Sequence, residues 1–527
     1  MNESRDPYCP LPRPAGAPPP HDTQPESPPP QTGTPRPRRG WFLLRDSSIY
    51  LLGNLLQKAA AFILIPVYTR ALTVAQYGIL ELANTVVNLL LVAAALGVPS
   101  AINKCYHRDC HDETDRGRLV GTALLFTVCV TLALALLGWA AEGWLSNALF
   151  SGPEGLVVYR YTLVWLVLAQ IAVVPFEWAR ASGRSSLFVG MSLAQLAVQF
   201  VAIVLLTSWG GLGLRGVLAG NVLGLVAVNL AGAVLLMRTA RFEIDPRLLK
   251  AMSLYGLAMI PVFLSGWVVN VSDRFFVKSL AGLDALGIYA LGYKFGALVD
   301  LLIVMPFQRA WTPLFFGMAK EPRAASDLAR VTTYLVGILG VASLAVSLGV
   351  VPFLRVGATP GYYGASDYVP MICLAYLIGG VANCLANGLI VAGKMRQVAG
   401  YALLAALTNL ALNALLIPWL GAYGAAVATV LAFAVQCTGI LISLSRHFPV
   451  NIEWGRISRI LLACGIPFLL SYVMPVMSFA VDVASRICLL ITCLVLLFVL
   501  RLVRPEDVAA VKRQIVAMRG RRPSMEG

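Results

Sequence analysis

About fourteen stretches of roughly twenty mainly apolar residues follow one another between residues 48 and 503. Each is long enough to cross a hydrocarbon core roughly 30 Å thick, because an α-helix rises about 1.5 Å per residue. They lie near 48 to 71, 76 to 98, 119 to 141, 158 to 180, 186 to 208, 213 to 238, 251 to 280, 286 to 308, 330 to 353, 368 to 391, 398 to 419, 421 to 445, 457 to 477 and 482 to 503. In lipid every backbone amide must be satisfied within the protein, and runs of this length do so as helices. The expected fold is an all-α integral membrane protein with about fourteen transmembrane helices. Composition agrees, since 58% of residues are hydrophobic and 13% charged, against roughly 25% charged in soluble domains.

The ends read differently. Before Gly40 the runs PLPRPAGAPPP and PESPPPQTGTPRPRRG hold too little apolar surface to pack a core. Residues 1–41 are therefore expected to be a disordered tail, and 506–527 a basic one. The start lacks the basic, apolar and small-residue order of a signal peptide, so targeting is expected from the first spanning helix. The net charge of +15 would suggest nucleic acid in a soluble chain. Here the cations sit in short connections between apolar runs, no nucleic-acid motif occurs, and no nucleic-acid partner is expected.

Those cations orient the chain. One alternate set of connections carries Lys104, Arg108, Arg116, Arg118, Arg180, Arg184, Arg238, Arg241, Arg247, Lys250, Arg309, Lys320, Arg323, Arg330, Lys394, Arg396, Arg446, Arg456 and Arg459. The other set carries Arg70, Arg160, Arg215, Lys278, Arg355 and Arg486. The positive-inside rule then places both termini in the cytoplasm. Arg180, Arg184, Lys394 and Arg396 fall where connections meet the membrane and read as headgroup anchors or as gating groups. Most cysteines lie inside apolar runs and behave as small hydrophobes. Cys105, His107, Cys110 and His111 are crowded into one connection, but their spacing fits no standard zinc site, and no metal is expected.

The chain also repeats itself. AQYGIL at Ala75–Leu80 resembles ALGIYA at Ala285–Ala290, with Gly78 over Gly287. Ala181-Ser182-Gly183-Arg184 aligns with Val391-Ala392-Gly393-Lys394, and Trp209 and Gly211 align with Trp419 and Gly421. The offset is about 210 residues in all three places. An even number of helices separates the copies, so the expectation is two parallel six-helix lobes, 42–245 and 246–447, with two helices added at 448–505. Transporters built from repeats commonly hold their substrate between them.

Two segments carry a family resemblance. GNLLQKAAAFILIPVYTRALTVAQYGIL, followed by LGVPSAINKCY, is similar to the opening helices of Wzx-type polysaccharide and oligosaccharide flippases. These belong to the multidrug/oligosaccharidyl-lipid/polysaccharide (MOP) exporter superfamily. VSDRFFVKSLAGLDALGIYALGYKFGALVD resembles their seventh and eighth helices, with Asp273-Arg274 and Gly287-Ile288-Tyr289 in the matching places. The resemblance spans roughly 42 to 505. It implies a V-shaped, MATE-like, two-lobed transporter in a bacterial-type cytoplasmic (inner) membrane. The implied cargo is an undecaprenyl-diphosphate-linked oligosaccharide, moved to the outer leaflet by alternating access for polysaccharide or O-antigen biosynthesis. Membrane lipids, a glycan polymerase and export machinery would be its partners, with no cofactor beyond a coupling proton or sodium ion.

Charges at membrane depth are the candidate site, because each costs a few to more than about 10 kcal/mol unless it faces water or a partner. Asn270, Arg274 and Lys278 recur every fourth residue on one face of the seventh helix. Neighbouring like charges repel there, so an anion is expected opposite. A diphosphate suits Arg and Lys. The alternative pairs Arg274 with a structural carboxylate and lets Lys278 snorkel to the surface. Lys58, with Asn54 a turn earlier, and Lys294 either line the same cavity or sit in buried ion pairs. Glu81, Asp273 and Asp300 balance these cations or bind a coupling ion. Glu81, Asn84 and Asn88 form a polar stripe that faces either sugar or a neighbouring helix. Gly256, Pro261 and Gly266 can bend the seventh helix.

Other functions remain in view: a lipid II flippase, a drug or cation antiporter of the same superfamily, and a membrane polymerase or ligase of lipid-linked glycans. An antiporter calls for an acidic cavity, whereas the first, seventh and eighth helices hold more basic than acidic residues. A polymerase calls for a long outer connection with catalytic groups. The longest, around Glu142–Arg160 and Arg355–Tyr368, are short and hold none that can be named. No phosphate-binding glycine loop or nucleophile elbow occurs, and no enzymatic activity is expected.

Overall fold

The computed structural model describes residues 62–94, 97–108, 110, 112–150, 152, 154–473 and 478–500, apart from the side chains at 92, 93, 255–263 and 265. Among the described residues every regular element is helical. Twelve stretches are long and apolar enough to cross a membrane, and each overlies one of the runs read from the sequence. Of the other two runs, 48–71 falls largely outside the described residues. The other, 251–280, is helical and divides at Ser272.

The first half of the chain opens with α1 (Ile65–Ala71) and α2 (Val74–Ala94). A connection read as a basic loop is helix α3 (Val98–Arg108). Its buried Val98, Ala101, Ile102, Cys105 and Tyr106 fall at i, i+3, i+4, i+7 and i+8, the spacing of one helical face. Cys105 and Cys110 are thereby packed with Ile102 and Trp178 in an apolar cluster. Among the described residues no three His, Cys, Asp or Glu converge, and His111 lies outside them. Helix α4 (Glu113–Ala140) begins earlier than the apolar run because Asp112 caps it, accepting from the Asp115 amide at 2.7 Å. A short α5 (Glu142–Leu149) precedes α6 (Gly155–Ala181), α7 (Ser185–Val204) and α8 (Gly213–Leu236), with a π turn at Leu205–Trp209.

The second half starts with α9 (Pro246–Val271), where Asp245 caps the end and Pro246 occupies the first turn. Its backbone is helical through Gly256, Pro261 and Gly266. Next come α10 (Asp273–Ala281), α11 (Leu283–Gly296), a π turn at Asp300–Val304 and α12 (Met305–Met318). Helix α13 (Ala324–Gly357) leads through a 3₁₀ segment, Pro360–Asp367, into α14 (Val369–Val391). Helices α15 (Met395–Leu420), α16 (Ala422–His447), α17 (Trp454–Val473) and α18 (Phe479–Val499) complete the described chain. The Pro360–Val391 stretch is 67% buried, while α17 and α18 are 17% buried. Helix α14 is thus enclosed by protein, whereas α17 and α18 present most of their surface outward and pack on α13 and on each other.

Two of the matched places in the sequence share a backbone conformation. Gly183 and Gly393 both have positive φ, +69° and +74°, as do Gly211 and Gly421, +62° and +59°. Only glycine adopts that region at little cost. At the first pair the same bonds close the turn: the Arg184 amide donates to Ala179 at 3.0 Å, and the Lys394 amide to Leu389 at 2.8 Å. Trp209 and Trp419 are 86% and 84% exposed, as suits indoles at a membrane interface.

Candidate functional site

The site is built where the matched glycines meet. A Cβ on Gly78 would strike the Leu283 carbonyl oxygen, and one on Gly287 the Val74 carbonyl oxygen, so α2 and α11 cross in direct backbone contact. Glu81 follows Gly78 by almost one turn, and Lys294 follows Gly287 by two. Their side chains meet: the Lys294 ammonium donates to the Glu81 carboxylate and to the Tyr77 hydroxyl at 2.9 Å, and it sits 5.1 Å from the Tyr77 ring centre. Glu81 is 3% exposed. One member of this pair comes from each half of the chain.

The pair borders a cavity of about 480 Å³. Its polar wall is formed by Glu81, Asn84, Lys294, Asp300, Gln199 and Tyr376, and its apolar wall includes Phe62, Trp165 and Leu298. Asp300 opens the π turn at Asp300–Val304, a distortion often found at functional positions. The Gln199 amide donates to Asn221 at 2.6 Å, which joins α7 to α8 at the cavity. Asn84 faces the cavity, whereas Asn88 is exposed and bonds back to the Asn84 carbonyl at 2.8 Å.

Arg274 sits behind that wall rather than in it. Its guanidinium is 3.2 Å from Asp273, donates to the Asn270 carbonyl at 3.0 Å and lies 4.5 Å from the Tyr293 ring centre. Asp273 is fully buried and Arg274 is 8% exposed. The Tyr289 hydroxyl donates to the other Asp273 oxygen. The Tyr293 and Tyr376 hydroxyls are 3.0 Å apart, and Tyr376 donates to the Asn270 side chain at 3.2 Å. Tyr376 therefore links this network to the cavity. Lys278 points elsewhere: its exposed ammonium donates to the Ala148 carbonyl at 3.0 Å, at the end of α5. Lys58 and Asn54 lie outside the described residues.

The structure thus gathers Glu81, Lys294, Asp300 and Asn84 at the cavity, buries Asp273 and Arg274 beside it in a network that half-buried Asn270 joins, and leaves Lys278 towards the surface. Tyr77, Tyr293 and Tyr376 join the site without having been candidates from the sequence, and Tyr289, which had been matched only as part of the family resemblance, joins it too. Tyr289 and Tyr293 were detectable, since they are four residues apart on a spanning helix and the next residue is Lys294. Tyr376 sits in an apolar run with no such neighbour.

Comparisons with known proteins agree with this architecture. The structure of the lipid II flippase MurJ in an inward closed conformation superposes with a TM-score of 0.64 at 13% identity, over 85% of this chain and 98% of that one. An inward-facing multidrug resistance MATE transporter of the MOP superfamily gives 0.59 at 14% identity, over 75% and 98%. An Lsg locus protein of Haemophilus influenzae is 23% identical over 285 residues, covering 53% of this chain and 68% of that protein. The family model described as polysaccharide biosynthesis protein matches residues 43–319, more than half of the sequence. The chain is a multi-pass membrane protein with the MurJ and MATE fold, and it belongs to the polysaccharide biosynthesis protein family.

Proposed function

We propose that this protein is a flippase for a lipid-linked oligosaccharide of the undecaprenyl-diphosphate type. In this reading it works in a bacterial-type cytoplasmic membrane with the basic end facing the cytoplasm, and it carries out transport rather than glycan polymerisation or ligation. Residues 42–245 and 246–447 act as the two lobes that rock about the cavity. The observation that carries the reading is the Lys294–Glu81 pair, one partner from each repeat, at the wall of a cavity between them.

A charge pair at membrane depth offsets the desolvation of both ions only while both are present. A diphosphate entering the cavity exchanges places with Glu81 on the Lys294 ammonium, and the tie between α2 and α11 loosens. The cargo then has different affinity for the tied and untied states, which is the requirement for a ligand to shift a conformational equilibrium. Glu81, released, is free to take a proton, and Asp300 in the same lining offers a second carboxylate for a coupling ion. Asn84 and Gln199 present amides suited to sugar hydroxyls.

A second reading has support from the same lining. Among the described residues the cavity wall holds two carboxylates, Glu81 and Asp300, against one cation, Lys294, a balance that also suits a drug or cation antiporter. Lys294 separates the two. Replacing it by Ala is expected to stop glycan export and to cause the lipid-linked intermediate to accumulate while the protein stays in the membrane. Undiminished export with K294A, together with lost cation efflux in E81Q or D300N, would favour the antiporter.

A further inference from the structure

The basic end of the first half holds a second, separate cavity of about 330 Å³. Four arginines from three segments border it: Arg116 near the start of α4, Arg184 after α6, and Arg238 and Arg241 after α8. Glu113 is the one acid in its lining among the described residues. The guanidinium carbon of Arg116 lies over the Tyr106 ring, 4.8 Å from its centre, and that of Arg184 over the Trp178 ring, also 4.8 Å from its centre. Stacking on a ring holds a guanidinium plane in place while leaving its N–H edges open. The Arg116 Nε atom is buried and has no hydrogen-bond partner among the described residues. A buried donor in that condition costs about 1–3 kcal/mol.

The segment that brings Arg238 and Arg241 here is fixed to α4. Two glycines one turn apart, Gly117 and Gly121, let the backbone lie directly on the helix: a Cβ on Gly117 would come within 2.8 Å of the Thr239 carbonyl oxygen, and one on Gly121 would collide with that of Arg241. The Arg241 amide donates to the Gly117 carbonyl at 3.0 Å. Two residues on, Thr122 donates to the Glu243 carbonyl at 3.0 Å and accepts from the Asp245 amide at 3.0 Å. Residues 239–245 are thus strapped along α4. Electrostatic anchoring of scattered cations asks for no such strap and no guanidinium placed over a ring.

We propose that this pocket is a binding site for a phosphate group, held by the guanidinium edges of Arg116, Arg184, Arg238 and Arg241. Planar guanidinium groups converging on a polar cavity match a tetrahedral oxyanion with several acceptor oxygens. The pocket opens among the basic connections of the chain, so the phosphate can come from an anionic membrane lipid headgroup or from a free phosphate in solution. The site is distinct from the cavity at Lys294 and does not depend on what that cavity carries.

The test uses the full chain purified in detergent and follows its thermal unfolding during titration with short-chain phosphatidylglycerol, with phosphatidylcholine of the same chain length, and with inorganic phosphate against chloride at equal ionic strength. Saturable stabilisation by phosphatidylglycerol alone identifies a lipid headgroup, and saturable stabilisation by inorganic phosphate identifies the soluble source. In R238Q/R241Q, whose altered side chains are exposed, the midpoint concentration is expected to rise about tenfold with the unliganded unfolding temperature unchanged. R116K/R184K retains the charges but not the planar edges, and is expected to weaken binding as well. Equal responses to phosphatidylglycerol and phosphatidylcholine with none to phosphate would overturn the proposal, as would unaltered midpoints in both variants.

Discussion

At the scale of single residues, two charge pairs of the same type do different work. Asp273 and Arg274 are buried among Tyr289, Tyr293 and Asn270, whereas Glu81 and Lys294 meet beside a cavity. Removing one member of a buried pair strands the other, at about 3–5 kcal/mol. D273N and R274Q should therefore each lower the unfolding temperature and the folded yield of purified protein. The double variant should lose less than the sum of the two, because the stranded charge is gone. Strict additivity would show that the two side chains do not act as a pair. The sequence revealed that these charges exist and that they lie at membrane depth. It offered a structural carboxylate as one partner for Arg274 and counted Asp273 among the candidates, but left open which acid it is, because adjacent residues on a continuous helix diverge in direction. The turn at Ser272 places Asp273 at the start of a new helix, and the long Arg274 side chain reaches both its carboxylate and the Asn270 carbonyl one turn back.

At the scale of elements, the crossing of α2 and α11 is the contact on which the site rests. At both Gly78 and Gly287 a methyl group meets backbone of the other helix rather than a side chain that could rotate away. G78A and G287A are expected to cost about 1–3 kcal/mol each, to push the helices apart and to lengthen the Lys294–Glu81 contact. A thermal unfolding series against G349A, where a Cβ meets nothing within 4 Å, checks this, and equal unfolding temperatures for all three variants would contradict it. The repeat was legible because glycines needed for positive φ or close approach are hard to replace, so Gly183, Gly211, Gly393 and Gly421 keep their spacing. That Gly78 and Gly287 touch each other was not legible. Sequence equivalence places them at matching positions in their repeats and says nothing of how the repeats are docked. Helix α3 was hidden for a different reason, since its polar face put cations into what read as a loop.

At the scale of the whole molecule, the end opposite the basic connections is tied between the two halves of the chain through backbone carbonyls. The Tyr362 hydroxyl lies 3.1 Å from the Leu72 and 3.0 Å from the Thr73 carbonyl oxygen, Thr359 donates to Thr69 at 3.1 Å, and Thr69 donates to Gly357 at 3.2 Å. With Lys278 on Ala148, these bonds join the two halves at that end. Removing one buried hydroxyl bond costs about 1 kcal/mol, so Y362F should raise the open population about fivefold. Labelling rates of Ser366→Cys in a background without native cysteines report this, and an unchanged rate would remove Tyr362 from the junction. The spanning helices could be counted from hydropathy alone, but this junction could not be foreseen, because main-chain acceptors carry no mark in the sequence.

Whether Lys294 takes the headgroup of the cargo between the two halves is read out by translocation of a diphosphate-linked oligosaccharide by purified protein in proteoliposomes. K294A is expected to lower the rate by about tenfold or more, K294R to restore part of it, and E81Q to alter the rate without abolishing binding of the cargo. Translocation by K294A at the rate of the unaltered protein would contradict that role for Lys294.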